Sequence, residues 1–256
     1  MNSAAVMDRA QTGQKRTRYH LLDSLRGLNL LSMIIYHAVW DLVYIFGMEW
    51  KWFYGTAAYV WQQMVCWTFI LLSGFCWSMS KRPLKRGMVV LTASFLLSLV
   101  TIAAVPQQKV LFGVLTLLGS SMIIMTAADK LFIKVKPVYG FIVFSLLFIL
   151  TRNVSDGIIS FGKITLFSLP PEWYKNFFTA FLGLPFSGFW STDYFPLVPW
   201  FFLFSAGYFI HKSVKDKLGI IAHCKGCGFL NFMGKHSLVI YLIHQPVFYG
   251  IFTLLL

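Results

Sequence analysis

The 256-residue chain is 57% hydrophobic and 18% aromatic, and its charged share of 12% is about half that of a soluble domain. With a mean hydropathy of +0.68, this composition excludes a soluble enzyme with a polar shell and an intrinsically disordered chain. The 22 Lys and Arg against 9 Asp and Glu, a net +13, would mark a nucleic-acid partner in a soluble protein; in a membrane protein the excess collects in cytoplasmic loops, so no nucleic acid is expected.

In chain order, residues 1–20 read as a polar cytoplasmic segment and residues 21–256 as a single all-α transmembrane domain. Apolar runs near the roughly 20 residues of a bilayer crossing fall at Leu28–Phe46, Ala57–Met79, Met88–Val105, Val110–Ala128, Val138–Thr151, Phe195–Ile210 and Leu238–Leu256. They predict a polytopic helix bundle of about seven to nine transmembrane helices, the upper figure depending on residues 152–194. That segment is interrupted by Gly157, Gly162, Pro170, Pro171, Gly183, Pro185 and Gly188, which opposes a continuous helix. An external loop, a short amphipathic helix around Tyr174–Leu184 and a re-entrant piece all fit it.

A cytoplasmic N-terminus places seventeen of the cations inside, in clusters at Arg9–Arg26, Lys81–Arg86, Lys130–Lys136 and Lys212–Lys235. Only Lys51, Lys109, Arg152, Lys163 and Lys175 fall outside, the bias expected of an inner-membrane topology. The polar start lacks a cleavable signal, so the first span is expected to act as an uncleaved anchor of a multi-pass protein in the cytoplasmic membrane. The four cysteines give no disulfide framework, since Cys66 and Cys76 stand ten residues apart on one helix. The CxxC in His223-Cys224-Lys225-Gly226-Cys227 lacks a second ligand pair, so it reads as a reduced cytosolic pair, and no metal is expected.

Ionisable groups at membrane depth carry the functional signal, because each is costly in hydrocarbon. The first span holds Asp23, Arg26, His37 and Asp41; the steps between them return to nearly one helical face, with His37 about 16 Å beyond Arg26 along the axis. His244 lies at comparable depth on the last span, followed by Gln245 and Pro246. A midplane imidazole beside a carboxylate can act as general base or acyl acceptor, or the two can simply satisfy each other. The cytoplasmic turn Ser80-Lys81-Arg82-Pro83-Leu84-Lys85-Arg86 can bind a pyrophosphate, or merely fix topology. On the residues alone an enzyme, an export module for an anionic or lipid-linked molecule, and a structural protein all stand.

Tyr19–Asp41 (YHLLDSLRGLNLLSMIIYHAVWD), Phe69–Gly87, Phe112–Gly119 (FGVLTLLG), Ser187–Trp200 (SGFWSTDYFPLVPW) and Gly234–Val247 (GKHSLVIYLIHQPV) together resemble the catalytic-domain family of heparan-alpha-glucosaminide N-acetyltransferase, particularly its short bacterial members. The resemblance implies an integral-membrane enzyme that takes an acetyl group from cytosolic acetyl-CoA to an acceptor at or across the membrane, a small molecule or glycan. It matches Arg26 and His37 to the family's Arg and His in the first span, Asp23 to its preceding acid and the Lys81–Arg86 turn to a basic loop near the nucleotide end of coenzyme A; joined to the polar stripe, this makes His37, Asp41 and His244 the expected catalytic groups and Arg26, Lys81, Arg82, Lys85 and Arg86 the expected phosphate contacts. Asp193, Tyr194 and Trp190 are expected toward the acceptor, with membrane lipids around the bundle and a homodimer left open. Thr116 stands where close relatives commonly carry a His.

Overall fold

The computed structural model describes residues 19–221 and 225–255. Arg9, Lys15, Arg16 and Arg18, the His223–Cys224 half of the CxxC, and Leu256 lie outside the described residues. The long helices follow the seven apolar runs: α1 His20–Tyr44, α2 Thr56–Trp77, α3 Pro83–Ala104, α4 Val114–Phe132, α5 Pro137–Leu150, then α7 Leu197–Val214 and α10 Ser237–Leu255. Shorter pieces are α6 Phe177–Leu182, α8 Leu218–Ile221 and α9 Gly228–Lys235. Pro83 and Pro137 open their helices at the first turn, where a missing N–H costs nothing. The first helix begins at His20, ahead of the apolar run, because its first turns close an ion pair between Asp23 and Arg26 at 3.2 Å.

Among the described residues, four helices are long and apolar enough to cross a membrane: α3, α4, Pro137–Asp156 (α5 with the turn after it) and α10. The chain is on this measure a membrane protein. Helices α1, α2 and α7 are 25, 22 and 18 residues long but dilute their apolar content with Asn29, His37 and Asp41, with Gln62 and Gln63, and with His211 and Lys212. Polar side chains on α1 and α2 also make bonds between the two helices. Asn29 Nδ2 donates to the Val65 carbonyl at 3.1 Å and Trp61 Nε1 to Ser32 Oγ at 2.8 Å, tying α1 to α2.

Helix α7 is the central post, packed against α2, α4 and α5, and its Phe204 and Phe209 are fully buried beside Ile70, Leu117 and Met125. Glycines set how closely the helices approach. A Cβ on Gly74 would lie 1.9 Å from the Phe204 carbonyl oxygen, and one on Gly207 would lie 2.2 Å from that of Leu71, so α2 and α7 each present a glycine to the other's backbone. The same reciprocity joins α1 to α9: Gly27 faces Leu230 and Gly234 faces Asp23, each at 2.0 Å for an added Cβ. Small residues allow such backbone contact where lipid supplies no hydrophobic drive between helices.

Residues 152–194 depart from the all-helical expectation. A two-stranded antiparallel hairpin forms from β1 Ile158–Phe161 and β2 Ile164–Ser168, with a bulge after Ile159. Gly157 and Gly162 take positive φ at its base and turn, and the two-residue Gly162-Lys163 connection suits a tight hairpin. The short helix α6 falls inside the Tyr174–Leu184 window, capped by Asn176 and Thr179 in a capping box. Arg152, at the head of this segment, sits 5.0 Å from the Trp67 ring, 5.5 Å from Phe148 and 5.3 Å from Trp200, so its charge is stabilised by ring faces.

At the opposite end, Lys212 Nζ donates to the carbonyls of Phe132, Ile133 and Val135 at 3.0, 2.7 and 2.7 Å. Tyr208 donates to Asp129 Oδ1 at 2.7 Å. A lysine on α7 thus caps the C-terminus of α4 and supplies partners for carbonyls the helix leaves free. Lys212→Met is expected to cost about 1.5–3 kcal/mol, the range for hydrogen bonds to a charged group. A lowered melting temperature in detergent, with Lys134→Met unchanged as control, checks this.

Candidate functional site

His37, half-buried on α1, and His244, buried on α10, meet with ring centroids 5.2 Å apart. The pairing that the sequence hinted at by equal depth is therefore a side-chain contact. His244 Nδ1 lies 2.5 Å from the Tyr241 carbonyl oxygen, and a carbonyl only accepts, so Nδ1 carries the proton. Nε2 is then the lone-pair nitrogen, and it is buried with no hydrogen-bond partner. Pro246 inside α10 removes one N–H from the ladder just beyond this turn. The result is a proton-accepting nitrogen held in a fixed tautomer beside a second imidazole.

Asp41 is 2% exposed, yet no hydrogen bond joins it to His37 among the described residues. The orienting contact expected from the i, i+4 step is not formed, and His244 occupies the position next to His37 instead. The sequence spacing placed both groups on one stripe, and a shared stripe does not fix whether two side chains meet.

Two cavities lie between the cationic turn after α2 and this pair. The outer one, about 490 Å³, has Arg26, Arg82, Lys85, Arg86 and Lys235 on its walls, and apolar side chains including Leu115, Leu118 and Met122 further in. The inner one, about 50 Å³, is bounded by His37, Cys66, Asp193, Leu30, Met33 and Val65. Phe69 and Tyr241 belong to both, so only these two side chains stand at their junction. A third cavity of about 800 Å³ lies alongside, bounded by Tyr19, Ser78, Lys81 and His211 and sharing Arg26 and Arg86 with the first. All five cations singled out from the sequence thus line one or other of these cavities, and Arg26 and Arg86 line two.

Lys235 is a cation the sequence reading assigned only to topology. Its place at the cavity wall follows from α9, whose Asn231 accepts from Ser24 Oγ at 2.8 Å while the Cys227 N–H donates to the same Ser24 oxygen at 3.0 Å. The signal for it was the pair Gly27 and Gly234, which lets α9 lie directly on α1.

Of the residues expected toward the acceptor, only Asp193 borders the inner cavity. Its Oδ2 accepts the Val114 N–H at 3.0 Å and the Tyr241 hydroxyl at 3.4 Å. A carboxylate at the start of α4 satisfies a free N–H and suits the positive end of the helix dipole. Neighbouring bonds fix this loop: Ser191 Oγ accepts from Leu111 N–H at 2.9 Å, and the Phe195 N–H donates to the Phe112 carbonyl at 2.9 Å. Tyr194 turns away and donates to the Ala180 carbonyl at 2.6 Å; burial pushes its hydroxyl pKa up, so it stays a neutral donor clasping α6. Trp190 is 58% exposed and lines none of the three cavities. Thr116 forms a 2.6 Å hydrogen bond with Ser94 inside the α3–α4 contact. No cluster of three or more metal-binding side chains occurs among the described residues.

A family model described as heparan-alpha-glucosaminide N-acetyltransferase, catalytic, matches residues 18–246. Neither the curated proteins nor the solved structures contain a match to the chain.

Proposed function

Because the chain belongs to the heparan-alpha-glucosaminide N-acetyltransferase catalytic family, we propose that it transfers an acetyl group from cytosolic acetyl-CoA through the bundle to a nucleophilic acceptor on the far side. The carrying observation is the pair of adjoining cavities, one walled by Arg26, Arg82, Lys85, Arg86 and Lys235 and the other by His37, whose ring packs on that of His244. Coenzyme A is an anion at one end and a slender, mostly uncharged arm at the other. Its phosphates suit the cationic mouth, and its pantetheine arm suits the apolar passage. The cavity beside His37 is small, about 50 Å³, which suits a short acyl group.

In this reading seven helices cross the cytoplasmic membrane with the N-terminus inside, and residues 21–256 form one catalytic domain. His37 is the base that takes the acceptor's proton as the acceptor attacks the thioester carbon. His244, whose Nε2 carries the lone pair and whose ring packs on that of His37, accepts a hydrogen bond from the resulting imidazolium and stabilises it, the task that a carboxylate performs in a serine-protease triad. Asp193 holds the start of α4 at the chamber wall, and every group in the scheme comes from one copy of the chain.

The donor half can be tested without knowing the acceptor. Purified protein is expected to bind acetyl-CoA with an affinity that falls as salt rises, and Arg86→Gln is expected to weaken binding about tenfold, the loss of about 1.4 kcal/mol of charge-assisted contact. Calorimetry that finds the affinity unchanged both by salt and by Arg86→Gln would remove the cationic mouth from donor binding.

A further inference from the structure

Tyr241 stands at the junction of the outer and inner cavities, and its only companion there is Phe69, which has no polar atom. Ser73 and Ser237 open onto the outer cavity alone, and Ser73 already donates to the Phe69 carbonyl at 2.8 Å. Cys66 faces the inner cavity but offers only a weak S–H donor. The Tyr241 hydroxyl is therefore the one strong neutral donor where the thioester of a donor reaching from the cytoplasmic cations toward His37 would lie.

We propose that the Tyr241 hydroxyl is the oxyanion donor of the transfer, leaving Asp193 to hydrogen-bond the thioester carbonyl oxygen. The inference rests on the acetyl-CoA reading and adds a residue to it. The present bond to Asp193 is 3.4 Å long, well beyond the roughly 2.7–2.8 Å of a good O–H···O bond, so little is lost when it is exchanged for a carbonyl at proper distance. Asp193 keeps the Val114 N–H at 3.0 Å and is not orphaned by the exchange. The backbone carbonyl of the same tyrosine holds His244 Nδ1, and the Tyr241 and His244 rings lie 5.4 Å apart. One turn of α10 thereby fixes donor and base relative to each other, the preorganisation that oxyanion stabilisation requires.

The step balances as follows. The acceptor's nitrogen or oxygen bonds to the thioester carbon and its proton passes to His37, while the carbonyl oxygen takes the π electron pair and is held by the Tyr241 O–H. On collapse the carbonyl reforms, the carbon–sulfur bond breaks, and coenzyme A leaves as a thiolate that takes the proton back from His37. The products are the acetylated acceptor and free coenzyme A.

Tyr241→Phe removes the hydroxyl and keeps the ring. In infrared difference spectra, acetyl-CoA carrying ¹³C at the thioester carbonyl is expected to show a carbonyl band moved to lower frequency on wild-type protein and back to the free position on Tyr241→Phe. With glucosamine as probe acceptor, kcat is expected to fall about 100-fold, the size of a lost oxyanion donor, with KM for acetyl-CoA within about twofold. Asp193→Asn keeps an oxygen for Val114 and serves if Tyr241→Phe does not fold: the lowered band should persist in it. A band unmoved on wild-type protein, retained in Tyr241→Phe, or lost in Asp193→Asn overturns the assignment and makes Tyr241 a wall between cavities. Wild-type protein that binds no acetyl-CoA overturns the donor reading itself, a distinct outcome.

Discussion

His37→Ala is expected to lower acetyl transfer about 1,000-fold while acetyl-CoA affinity and thermal melting stay close to wild type. The size follows from losing a general base, about 100- to 10,000-fold, at a position whose side chain makes ring contacts with Tyr36 and His244 but no hydrogen bond among the described residues, so the fold does not depend on it. His244→Gln is expected to cost less, because it leaves the base in place and removes only the nitrogen that steadies it. Asp41→Asn is the informative contrast. If the carboxylate one turn along α1 oriented His37, the variant would fall as far as His244→Gln; with no bond between them, transfer should stay within about threefold. Coenzyme A release, followed by thiol capture in single-turnover and steady-state assays, separates these outcomes. Full transfer by His37→Ala would remove His37 from the chemistry.

The contrast between Asp41 and His244 shows where sequence reasoning reaches its limit. Helical periodicity and membrane depth were enough to bring His37 and His244 to one level, because 1.5 Å per residue converts position directly into height. Periodicity also put Asp41 on the same stripe as His37, but a shared stripe is not a bond. Tyr241 and Lys235 were hidden for a different reason. Each acquires its role from where two other elements end: Lys235 from the fit of α9 onto α1, and Tyr241 from the meeting of two cavities. The hairpin Ile158–Ser168 was masked by its setting, since a run of glycines and prolines in an apolar chain argues against helix without saying what replaces it. Asp193 was expected toward the outside, and its place at the start of α4 comes from the loop that folds back onto Val114. The Tyr194 bond to the Ala180 carbonyl was not legible, because an aromatic with a polar tip serves equally well as a ligand contact or as a clasp.

Gly74→Ala is expected to be among the most destabilising single-methyl additions in the bundle, and Gly207→Ala strongly destabilising as well. The added Cβ would meet the Phe204 carbonyl oxygen at 1.9 Å and that of Leu71 at 2.2 Å, and in each case the obstacle is backbone, which cannot rotate away as a side chain can. Helices α2 and α7 must then separate by an ångström or more, opening the contacts of Ile70, Phe204 and Trp77 in the core that α7 centres. Overpacking costs about 1–3 kcal/mol where side chains can yield, and here the cost should reach or exceed the top of that range. Gly250 sits in α10 with nothing within 4 Å of an added Cβ, so Gly250→Ala should instead be neutral or gain up to about 1 kcal/mol in helix propensity. Size-exclusion profiles and melting curves in detergent check the pair: Gly74→Ala aggregated or strongly destabilised, Gly250→Ala monodisperse. Equal behaviour of the two would mean that α2 and α7 do not meet through their glycines. The consequence extends to function, because α2 also carries Val65, Cys66 and Phe69 on the walls of the inner cavity. A shift of α2 that the protein survives should enlarge that cavity, and Gly207→Ala, if it folds, is expected to accept propionyl-CoA or butyryl-CoA relatively better than wild type does.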